Sequence, residues 1–586
     1  MCFVLSNFHH KAEEGAIKMR VNLIPSVKTF EERSGFLRKK AITYQNQNLD
    51  TRLQSALAKL PYDEDGVCVE ICITGQSGED YELWIEENDI RIQAGGTAGA
   101  FYAVQTLRQI FEQDVVACAY IKDYPDFPYR GFYHDVTRGR VPTVDAIKKL
   151  IDRMSYYKLN SLQLYVEHVY EFEECKDLNA KTGYLTKEEI LEIGKYCKQH
   201  FIEFIPSLST FGHMYEILEQ EQYQHLRVLK DFKKDRNFWK SRMSHHTIDP
   251  LQPESIEIVK HLIDQYEPLF DSKYFNICCD ETFDLKRYAE EGYDVGRLYV
   301  DFVKQIINYV EQKGKKVMMW GDILLEHPEV INELPEDVCF LNWDYGKNPS
   351  ENKVEVFAKL DRKQIVCPGT SIWNRFCETV ETEESNISLM AQYGYRHGAA
   401  GVLNTNWGDW GHTCSMELST YGMVLGAAKS WNVNMQIDDT FYQDVDTLIY
   451  GHQGAIECLK KLSQMQSLCS AYFMFGAYFD YRYEHKPDFS HIEPETVKRI
   501  QEKYSELKEI LIADVWKKDV YRQEMLLAAE AVCMMAEFSA KIAGYDVQRL
   551  TDTKKWLKKY RESWLSQSKV SELGKIEEVF LYCDDI

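Results

Sequence analysis

The sequence predicts an α/β protein centred on a (β/α)8 TIM barrel, with a small α/β domain before it and an α-helical domain after it. Between residues 126 and 432, eight short apolar runs alternate with helical patterns without a break. A doubly wound open sheet is the structural alternative, but eight uninterrupted units favour closure into a barrel. Strand-like alternation precedes this region, and none follows it. We therefore expect three domains, at residues 1–125, 126–432 and 433–586.

The first region contains short strands, a glycine turn and a helix. Val67–Ile73 and Tyr81–Ile85 alternate apolar and polar side chains and indicate strands. A turn at Gly95-Gly96 leads into an amphipathic helix over residues 97–111. The turn lacks the GxGxxG spacing of a dinucleotide-binding loop, so a tight turn into a packed helix is the better interpretation.

The second region supplies eight candidate barrel strands. They are Gly131–Val136, Ser161–Val166, Glu203–Leu208, Tyr274–Cys279, Val317–Trp320, Val338–Asn342, Gln364–Cys367 and Gly401–Thr405. Helical patterns lie between them, at Val144–Tyr157, Glu188–Gln199, Ser255–Leu269, Arg297–Gln312 and Ser385–Arg396. In barrels of this kind the functional residues follow the carboxyl ends of the strands, so their positions can be read from the sequence.

Carboxylates, histidines and tryptophans recur just after the predicted strands. These residues are His134-Asp135, Glu167-His168, Gly212-His213, Asp280-Glu281, Trp320 with Asp322, Trp343 with Tyr345, Trp373, and Trp407 with Asp409. Indole faces cover the apolar faces of a pyranose ring, and carboxylates bind its hydroxyl groups. The composition of these positions therefore predicts a sugar-binding pocket.

The third region shows only long helical patterns, which predict a helical bundle. The patterns cover Ala455–Phe475, Glu493–Ile512 and Val520–Ile542. An apolar stripe in the last of them indicates core packing and not a cofactor site; it comprises Met525, Leu526, Ala529, Val532 and Met535. We expect this region to pack against the rest of the chain or to mediate dimerisation.

Charge and cysteine usage narrow the class of function. The 69 basic and 92 acidic residues give a net charge of -23, which argues against nucleic acid and anionic membranes as partners. No run approaches the roughly 18 apolar residues that span a bilayer. The 16 cysteines are scattered without zinc-binding spacing, so we predict no metal site. The N-terminus does not resemble a signal peptide, and we expect a cytoplasmic protein, although export by another route stays open.

The pair Asp280-Glu281 is the strongest candidate for chemistry. An apolar predicted strand runs directly into it, and neighbouring side chains that leave a strand point to different sides. One carboxyl, kept protonated, can protonate a glycosidic oxygen, while the other, ionised, stabilises developing positive charge. Such pairs in acidic proteins are usually solvated surface, so the position after a barrel strand carries this prediction.

Several motifs resemble glycoside hydrolase family 20, the β-N-acetylhexosaminidases. The fourth strand and the carboxylate pair resemble the family signature, in which an apolar strand with two small residues precedes Asp-Glu. Residues 121–131 are similar to the entrance of the family's barrel, and residues 100–109 resemble the helix of its N-terminal domain. The closing helices and the Trp-Gly-Asp-Trp-Gly motif at 407–411 resemble a short bacterial branch that forms dimers.

This resemblance implies retaining, substrate-assisted hydrolysis, an exception to the usual scheme with two carboxylates. The nucleophile is the carbonyl oxygen of the substrate's own 2-acetamido group. Glu281 would protonate the leaving oxygen and later deprotonate water, and Asp280 would receive the acetamido N–H. The family implies no metal and no organic cofactor.

The resemblance also assigns residues that bind the sugar. Arg130 matches an arginine that holds O3 and O4, with a structural ion pair as the alternative. Asp409 stands where the family carries a glutamate for O4 or O6, and His213 matches a histidine beside the catalytic pair. The walls of the pocket would be Trp320, Trp343 and Trp407.

Three positions depart from the family pattern. Glu167 follows a second strand that lacks the usual histidine and aspartate, and we include it among the candidate substrate-binding residues without a defined role. The family usually has a tyrosine that donates to the acetamido carbonyl, but Trp373 stands at the strand-seven position here. Tyr345 is therefore the candidate donor. These departures bear on specificity more than on reaction type.

The sequence thus predicts an exo-acting β-N-acetylhexosaminidase, with β-N-acetylglucosaminidase activity favoured and a glycan or oligosaccharide as substrate. The first alternative is a glycosidase that acts on sugars without an acetamido group and uses Glu167 as a second carboxylate. The second is a barrel that binds glycans without cleaving them. A homodimer is an expectation from the family and from the helical third region.

Overall fold

The computed structural model describes residues 21–45, 49–178, 183–232, 239, 241–242, 246–469, 493–513 and 515–585. The chain divides into two compact units. The first unit runs to Tyr124 without residues 24–26, and the second comprises those three residues with Pro125–Ile586. The C-terminal helices therefore share one compact unit with the barrel.

The first unit is a small α/β domain, which confirms the prediction. Its six strands form one sheet in the order β1-β6-β4-β5-β3-β2. The strands are β1 (Thr29–Phe36), β2 (Ile42–Tyr44), β3 (Val67–Ile73), β4 (Tyr81–Ile85), β5 (Asp89–Ala94) and β6 (Ala117–Asp123), with helices α1 (Thr51–Leu57) and α2 (Thr97–Phe111). A Cβ on Gly99 would lie only 2.4 Å from the carbonyl oxygen of Asp80, so close packing explains this glycine.

Eight parallel strands close into a barrel in the second unit, which confirms the predicted fold class. In chain order they are β7 (Tyr129–Asp135), β8 (Ser161–Val166), β9 (Glu203–Leu208), β10 (Tyr274–Asn276), β11 (Lys316–Trp320), β12 (Cys339–Trp343), β13 (Gln364–Cys367) and β14 (Gly401–Asn406). Strand β14 pairs with β7 and completes the circle. Strand β10 ends three residues before its predicted end, because Cys278 and Cys279 adopt φ values of 57° and 66°, which strands do not contain.

Helices connect the strands around the barrel. They are α3 (Val144–Tyr156), α4 (Lys187–Gln199), α5 (Tyr215–Leu218), α6 (Pro253–Tyr266), α7 (Lys286–Glu290), α8 (Val295–Gln312), α9 (Asp322–Glu326), α10 (Glu351–Lys359), α11 (Val380–Arg396) and α12 (Thr420–Trp431). The five predicted helical stretches of this region fall on α3, α4, α6, α8 and α11.

Both faces of the barrel strands are buried, in two separate clusters. The interior cluster includes Tyr133, Tyr165, Ile205, Met318 and Trp320. The outer cluster, which packs against the helices, includes Phe132, Leu164, Phe204, Val317 and Met319. This double burial explains why the strands are continuous apolar runs in the sequence.

The C-terminal region is helical, as the sequence predicts. Its helices are α13 (Asp439–Val445), α14 (Ala455–Cys469), α15 (Pro494–Ala513), α16 (Asp519–Ile542), α17 (Thr553–Gln567) and α18 (Leu573–Asp585). Residues 470–475 of one predicted helix lie outside the described residues. The apolar stripe on α16 is buried in the core, with Leu526 partly buried. Within the described ranges, no helix combines the length and apolarity needed to cross a membrane.

Candidate active site

A small pocket of about 160 Å³ opens at the carboxyl ends of the barrel strands. Its lining comprises Arg138, Asp280, Glu281, Trp320, Trp343, Tyr345, Trp373, Trp407 and Asp409. Eight of these nine residues are ones that the sequence predicts for the site. Arg138 is the addition.

The two adjacent carboxylates lie in different surroundings. The side chain of Asp280 is 9% exposed, whereas that of Glu281 is 27% exposed. Oδ1 of Asp280 is buried and has no hydrogen-bond partner among the described residues. The backbone that presents the pair is bent, because Cys278, Cys279 and Glu281 have φ values of 57°, 66° and 49°. Left-handed conformations at such residues cost about 1–3 kcal/mol each and persist where the surrounding structure enforces them.

His213 lies against both carboxylates, as the sequence predicts. Its Nε2 is 3.3 Å from Asp280 Oδ2 and 3.4 Å from Glu281 Oε2, and its ring stacks on His246 at 4.6 Å. Burial alone would lower the pKa of His213, but the negative charge of Asp280 and the close approach of both carboxylates raise it to about 10. Arg138 opposes this effect, since its guanidinium lies 3.2 Å from Nδ1 and can only donate. Whether the ring is neutral, with Nδ1 accepting from Arg138, or doubly protonated, Nε2 carries a proton toward the carboxylates.

Arg138 reaches the pocket from the loop after β7. Asp135, the last residue of the strand, anchors that loop by accepting the backbone N–H of Arg138 at 3.0 Å. The guanidinium donates to Asp409 Oδ1 at 2.8 Å and lies over the Trp407 ring, 5.2 Å from its centroid. The sequence could have indicated Arg138, because it follows the end of a barrel strand closely and such positions face the pocket.

The prediction that Arg130 binds the sugar is wrong. Arg130 lies near the start of β7, at the amino-terminal end of the barrel, and is fully buried. Its guanidinium donates to the carbonyl oxygens of Lys158 at 3.0 Å and Phe127 at 2.9 Å, and it lies over the Trp431 ring. The side chain therefore stabilises the barrel end opposite the pocket.

Glu167 does not belong to the pocket lining and supports Arg138 from behind, which corrects the predicted substrate contact. Its Oε1 accepts the Tyr165 hydroxyl at 2.8 Å and lies 3.4 Å from Nε of Arg138. The side chain is buried. Its carboxylate thus contacts Arg138 and Tyr165 and does not face the pocket.

Aromatic rings form the walls of the pocket. Trp343 stacks on Tyr345 at 5.0 Å with an interplanar angle of 13°, and Tyr345 lies 5.4 Å from Trp373. The Trp407 indole donates to the Tyr345 hydroxyl at 2.8 Å, so this hydroxyl retains its own hydrogen as a donor. Trp320 lies 5.8 Å from Trp407, and its indole N–H is buried without a hydrogen-bond partner among the described residues.

Asp409 is held from two sides. Besides Arg138, the Asn374 side-chain amide lies 3.5 Å from Asp409 Oδ2. The amide oxygen of Asn374 in turn accepts the backbone N–H of Trp410 at 2.8 Å. Burial raises the pKa of Asp409, and the charge of Arg138 opposes that shift. Asn374 has no signal in the sequence, since its φ of 59° and its partner become apparent only in the fold.

Asp322, just after β11, completes the group of acids. Its Oδ2 accepts the backbone N–H of Glu281 at 3.0 Å, which fixes the bend that presents Asp280 and Glu281. Burial and the charge of Asp280 raise the pKa of Asp322 to about 7. The sequence places this residue at a strand end without assigning it a role.

A larger cavity, of about 470 Å³, lies beside helices α11, α14 and α15. The described residues that line it include several charged side chains and no aromatic one, so it lacks the aromatic walls of the strand-end pocket. In the described part of the chain, no group of three or more His, Cys, Asp or Glu residues could hold a metal ion.

A closed (β/α)8 barrel with paired carboxyls and indole walls at its strand ends defines the class of the protein as a barrel glycoside hydrolase. The family model "Glycosyl hydrolase family 20, catalytic domain" matches residues 127–443, and "Glycosyl hydrolase family 20, domain 2" matches residues 22–124. The chain belongs to glycosyl hydrolase family 20.

Individual proteins extend this likeness. The chain is 28% identical over 283 residues to a beta-hexosaminidase of Porphyromonas gingivalis, which covers 42% of the chain and 36% of the relative. It is 24% identical over 346 residues to a lacto-N-biosidase of Bifidobacterium bifidum, covering 56% of the chain and 28% of the relative. These matches therefore span about a third of the length of the relatives. Among solved structures, a Flavobacterium johnsoniae chitobiase shares the fold with a TM-score of 0.61 at 17% identity, over 96% of this chain and 99% of that one.

Proposed function

We propose that this protein is an exo-acting, retaining β-N-acetylhexosaminidase. The observation that carries the proposal is the buried Oδ1 of Asp280, which has no partner among the described residues and stands beside the more exposed Glu281. A buried acceptor of this kind needs a donor from the substrate, and an acetamido N–H supplies one. The small volume of the pocket suits the terminal residue of a glycan better than the middle of a chain.

The reaction begins with proton transfer from the Glu281 carboxyl to the glycosidic oxygen. The bond between C1 and that oxygen breaks, and the acetamido carbonyl oxygen of the same sugar attacks C1 to form an oxazolinium ring. Asp280 accepts the acetamido N–H and balances the positive charge of the ring. Water then attacks C1 and gives a proton to Glu281 while the bond between C1 and the acetamido oxygen breaks, which reopens the ring, restores the acetamido group, retains the configuration and regenerates the acid.

Charged neighbours hold the catalytic carboxylates in position. His213 directs its Nε2 proton at both of them, and Asp322 fixes the backbone of Glu281. A fixed donor such as the Nε2–H group of His213 stabilises charge that develops in the reaction without having to reorient.

Two further residues of the pocket lining, Arg138 and Asp409, suit the sugar's hydroxyl groups. Arg138 and Asp409 present donors and an acceptor next to each other, and they replace Arg130 in this role. The walls of Trp343, Tyr345 and Trp407 suit the sugar ring and the acetamido methyl group. We propose a preference for GlcNAc over GalNAc, which rests on recognition of O4 by the arginine and the aspartate.

The test compares the release of nitrophenol from the 4-nitrophenyl glycosides of β-GlcNAc, β-GalNAc and β-glucose. We expect rapid cleavage of both acetamido sugars, faster for GlcNAc, and no cleavage of the glucoside. Cleavage of the glucoside at a similar rate would contradict substrate assistance, because glucose has no acetamido group. Binding of GlcNAc without cleavage of any of the three would identify a glycan-binding barrel instead.

We also propose a homodimer in the cytoplasm. The helical region after the barrel supports the first part, and the 14 described free cysteines, which suit a reducing compartment, support the second. Light scattering that gives a monomeric mass would contradict the dimer, and recovery of the protein in the culture medium would contradict the location.

A further inference from the structure

An exposed aromatic ring stands next to the catalytic glutamate. Phe283 is 44% exposed, although large apolar side chains are usually buried. It follows Glu281 by two residues, and its backbone N–H donates to the Glu281 carbonyl at 2.7 Å in a tight turn. The Cα atoms of the two residues therefore lie within about 7 Å of each other.

A series of ring contacts fixes Phe283 relative to the catalytic pair. Its ring lies 6.2 Å from that of His246, at an interplanar angle of 66°. His246 stacks on His213 at 4.6 Å, and His213 approaches Glu281 Oε2 to 3.4 Å. Phe283 does not line the pocket itself, and the tight turn holds it close to Glu281, so its exposed ring lies outside the pocket and near the glutamate.

The leaving group of the substrate must also lie near Glu281. Glu281 protonates the oxygen that joins the sugar in the pocket to the rest of the glycan, so the next residue of the glycan extends from Glu281 toward solvent. A pyranose has an apolar C–H face that packs on aromatic rings. Lys286 lies beside the ring, with Nζ 5.7 Å from its centroid, and can donate to sugar hydroxyl groups.

We propose that Phe283 is the platform of an aglycone site, which binds the pyranose that follows the cleaved bond. The proposal rests on the proposed function and names its substrate class as oligosaccharides with a sugar, not a small alcohol, as the leaving group. Lys286 adds a polar contact at the edge of this site.

The experiment measures kcat/KM of Phe283→Ala on two substrates that share the sugar in the pocket. N,N'-diacetylchitobiose has a pyranose leaving group, and 2,2,2-trifluoroethyl β-GlcNAc has a leaving group without a ring. We expect a loss of about five- to tenfold on the disaccharide. The loss on the ring-free substrate should stay below about twofold, because an exposed side chain contributes little to folding.

Two further variants make the comparison specific. Phe283→Trp keeps an aromatic face and should retain the wild-type ratio between the substrates. Tyr293→Ala removes another exposed aromatic ring, which packs on Tyr288, and should leave the ratio unchanged. An equal loss on both substrates, or no loss on the disaccharide, would overturn the aglycone site while the proposed function stood. Wild-type protein that cleaves neither substrate would contradict the proposed function itself.

Discussion

Strand β7 carries a buried arginine at its start and another in the loop beyond its end, and the two have different partners. Arg130, at the start, donates to backbone carbonyls and lies over Trp431. Arg138, beyond the end, contacts the carboxylates of Glu167 and Asp409. The carbonyl partners of Arg130 hold it within the fold, whereas the carboxylate partners of Arg138 hold it in the lining of the pocket. Position along the strand, and not residue type, is therefore the reason why we assign a structural role to Arg130 and propose a substrate-binding role for Arg138.

If the reaction takes place at the carboxyl end of the barrel, substitutions at Asp280 and Glu281 should have the largest effect on activity. We expect Glu281→Gln and Asp280→Asn each to reduce kcat by about a hundredfold or more, with little change in melting temperature. The two variants should differ by substrate. Glu281→Gln should lose more on chitobiose than on the 4-nitrophenyl glycoside, because nitrophenolate leaves without a proton. Asp280→Asn should lose similar factors on both.

Two results would contradict the assignment of the reaction to Asp280 and Glu281. Near-normal turnover in either variant would mean that the reaction centre lies elsewhere. A large fall in melting temperature would mean that the carboxylates stabilise the fold and would leave the kinetic loss without a chemical meaning.

The two arginines give the next largest effect, as a matched pair of lysine substitutions. Lysine keeps the charge and loses the planar set of donors. Arg138→Lys should reduce kcat/KM on 4-nitrophenyl β-GlcNAc by about tenfold or more, since the proposed contact with the sugar's hydroxyl groups loses the planar pair of donors. Arg130→Lys should leave kcat/KM within about twofold and reduce the free energy of unfolding by about 1–3 kcal/mol, because buried carbonyls lose their donors.

Kinetics and thermal melting of the two variants under the same conditions decide this comparison. The reverse outcome, a kinetic loss in Arg130→Lys with normal activity in Arg138→Lys, would restore the original prediction for Arg130. Equal effects in both would mean that the ends of the barrel are not functionally distinct.

The sequence predicts the barrel and most of the pocket, because strand periodicity and strand-end composition are local properties. Eight buried strands are visible as apolar runs, and Asp280, Glu281 and the tryptophans follow them directly. The errors concern long-range partners. Arg138 meets Asp409 across 271 residues of sequence, and nothing near either residue indicates that contact. Glu167 follows a strand end like the others, yet the arginine and the tyrosine already engage its carboxylate.

Asp322 tests how the carboxyl end responds to pH. Its pKa is raised from 3.8 to about 7, first by burial and then by Asp280. The folded protein therefore holds this proton more tightly than the unfolded chain. Stability from this group is complete below about pH 4, falls as pH rises, and is lost above about pH 7. Asp322→Asn cannot titrate and should melt about 4 °C or more above the wild type at pH 8, with little difference at pH 4.

Melting curves at both pH values check this prediction, and Asp337→Asn, a change at an exposed carboxyl, serves as the control. The amide oxygen of the Asp322→Asn variant can still accept the Glu281 N–H, so the bend should persist. An identical pH dependence in wild type and variant would show that Asp322 is ionised throughout the range.

Substitution of Asn374 should have the smallest effect on kcat/KM. It tests whether a residue that contacts Asp409 also contacts the sugar directly. It lies 3.5 Å from Asp409, a weak contact, and Arg138 still holds the same carboxylate after its removal. Because Asn374 has a φ of 59°, glycine is the substitution that removes the amide without adding backbone strain. Asn374→Gly should reduce kcat/KM on β-GlcNAc by about two- to threefold and narrow the preference over β-GalNAc. A loss above about tenfold would instead place Asn374 in direct contact with the sugar, since weakening a hydrogen bond to Asp409 cannot account for it.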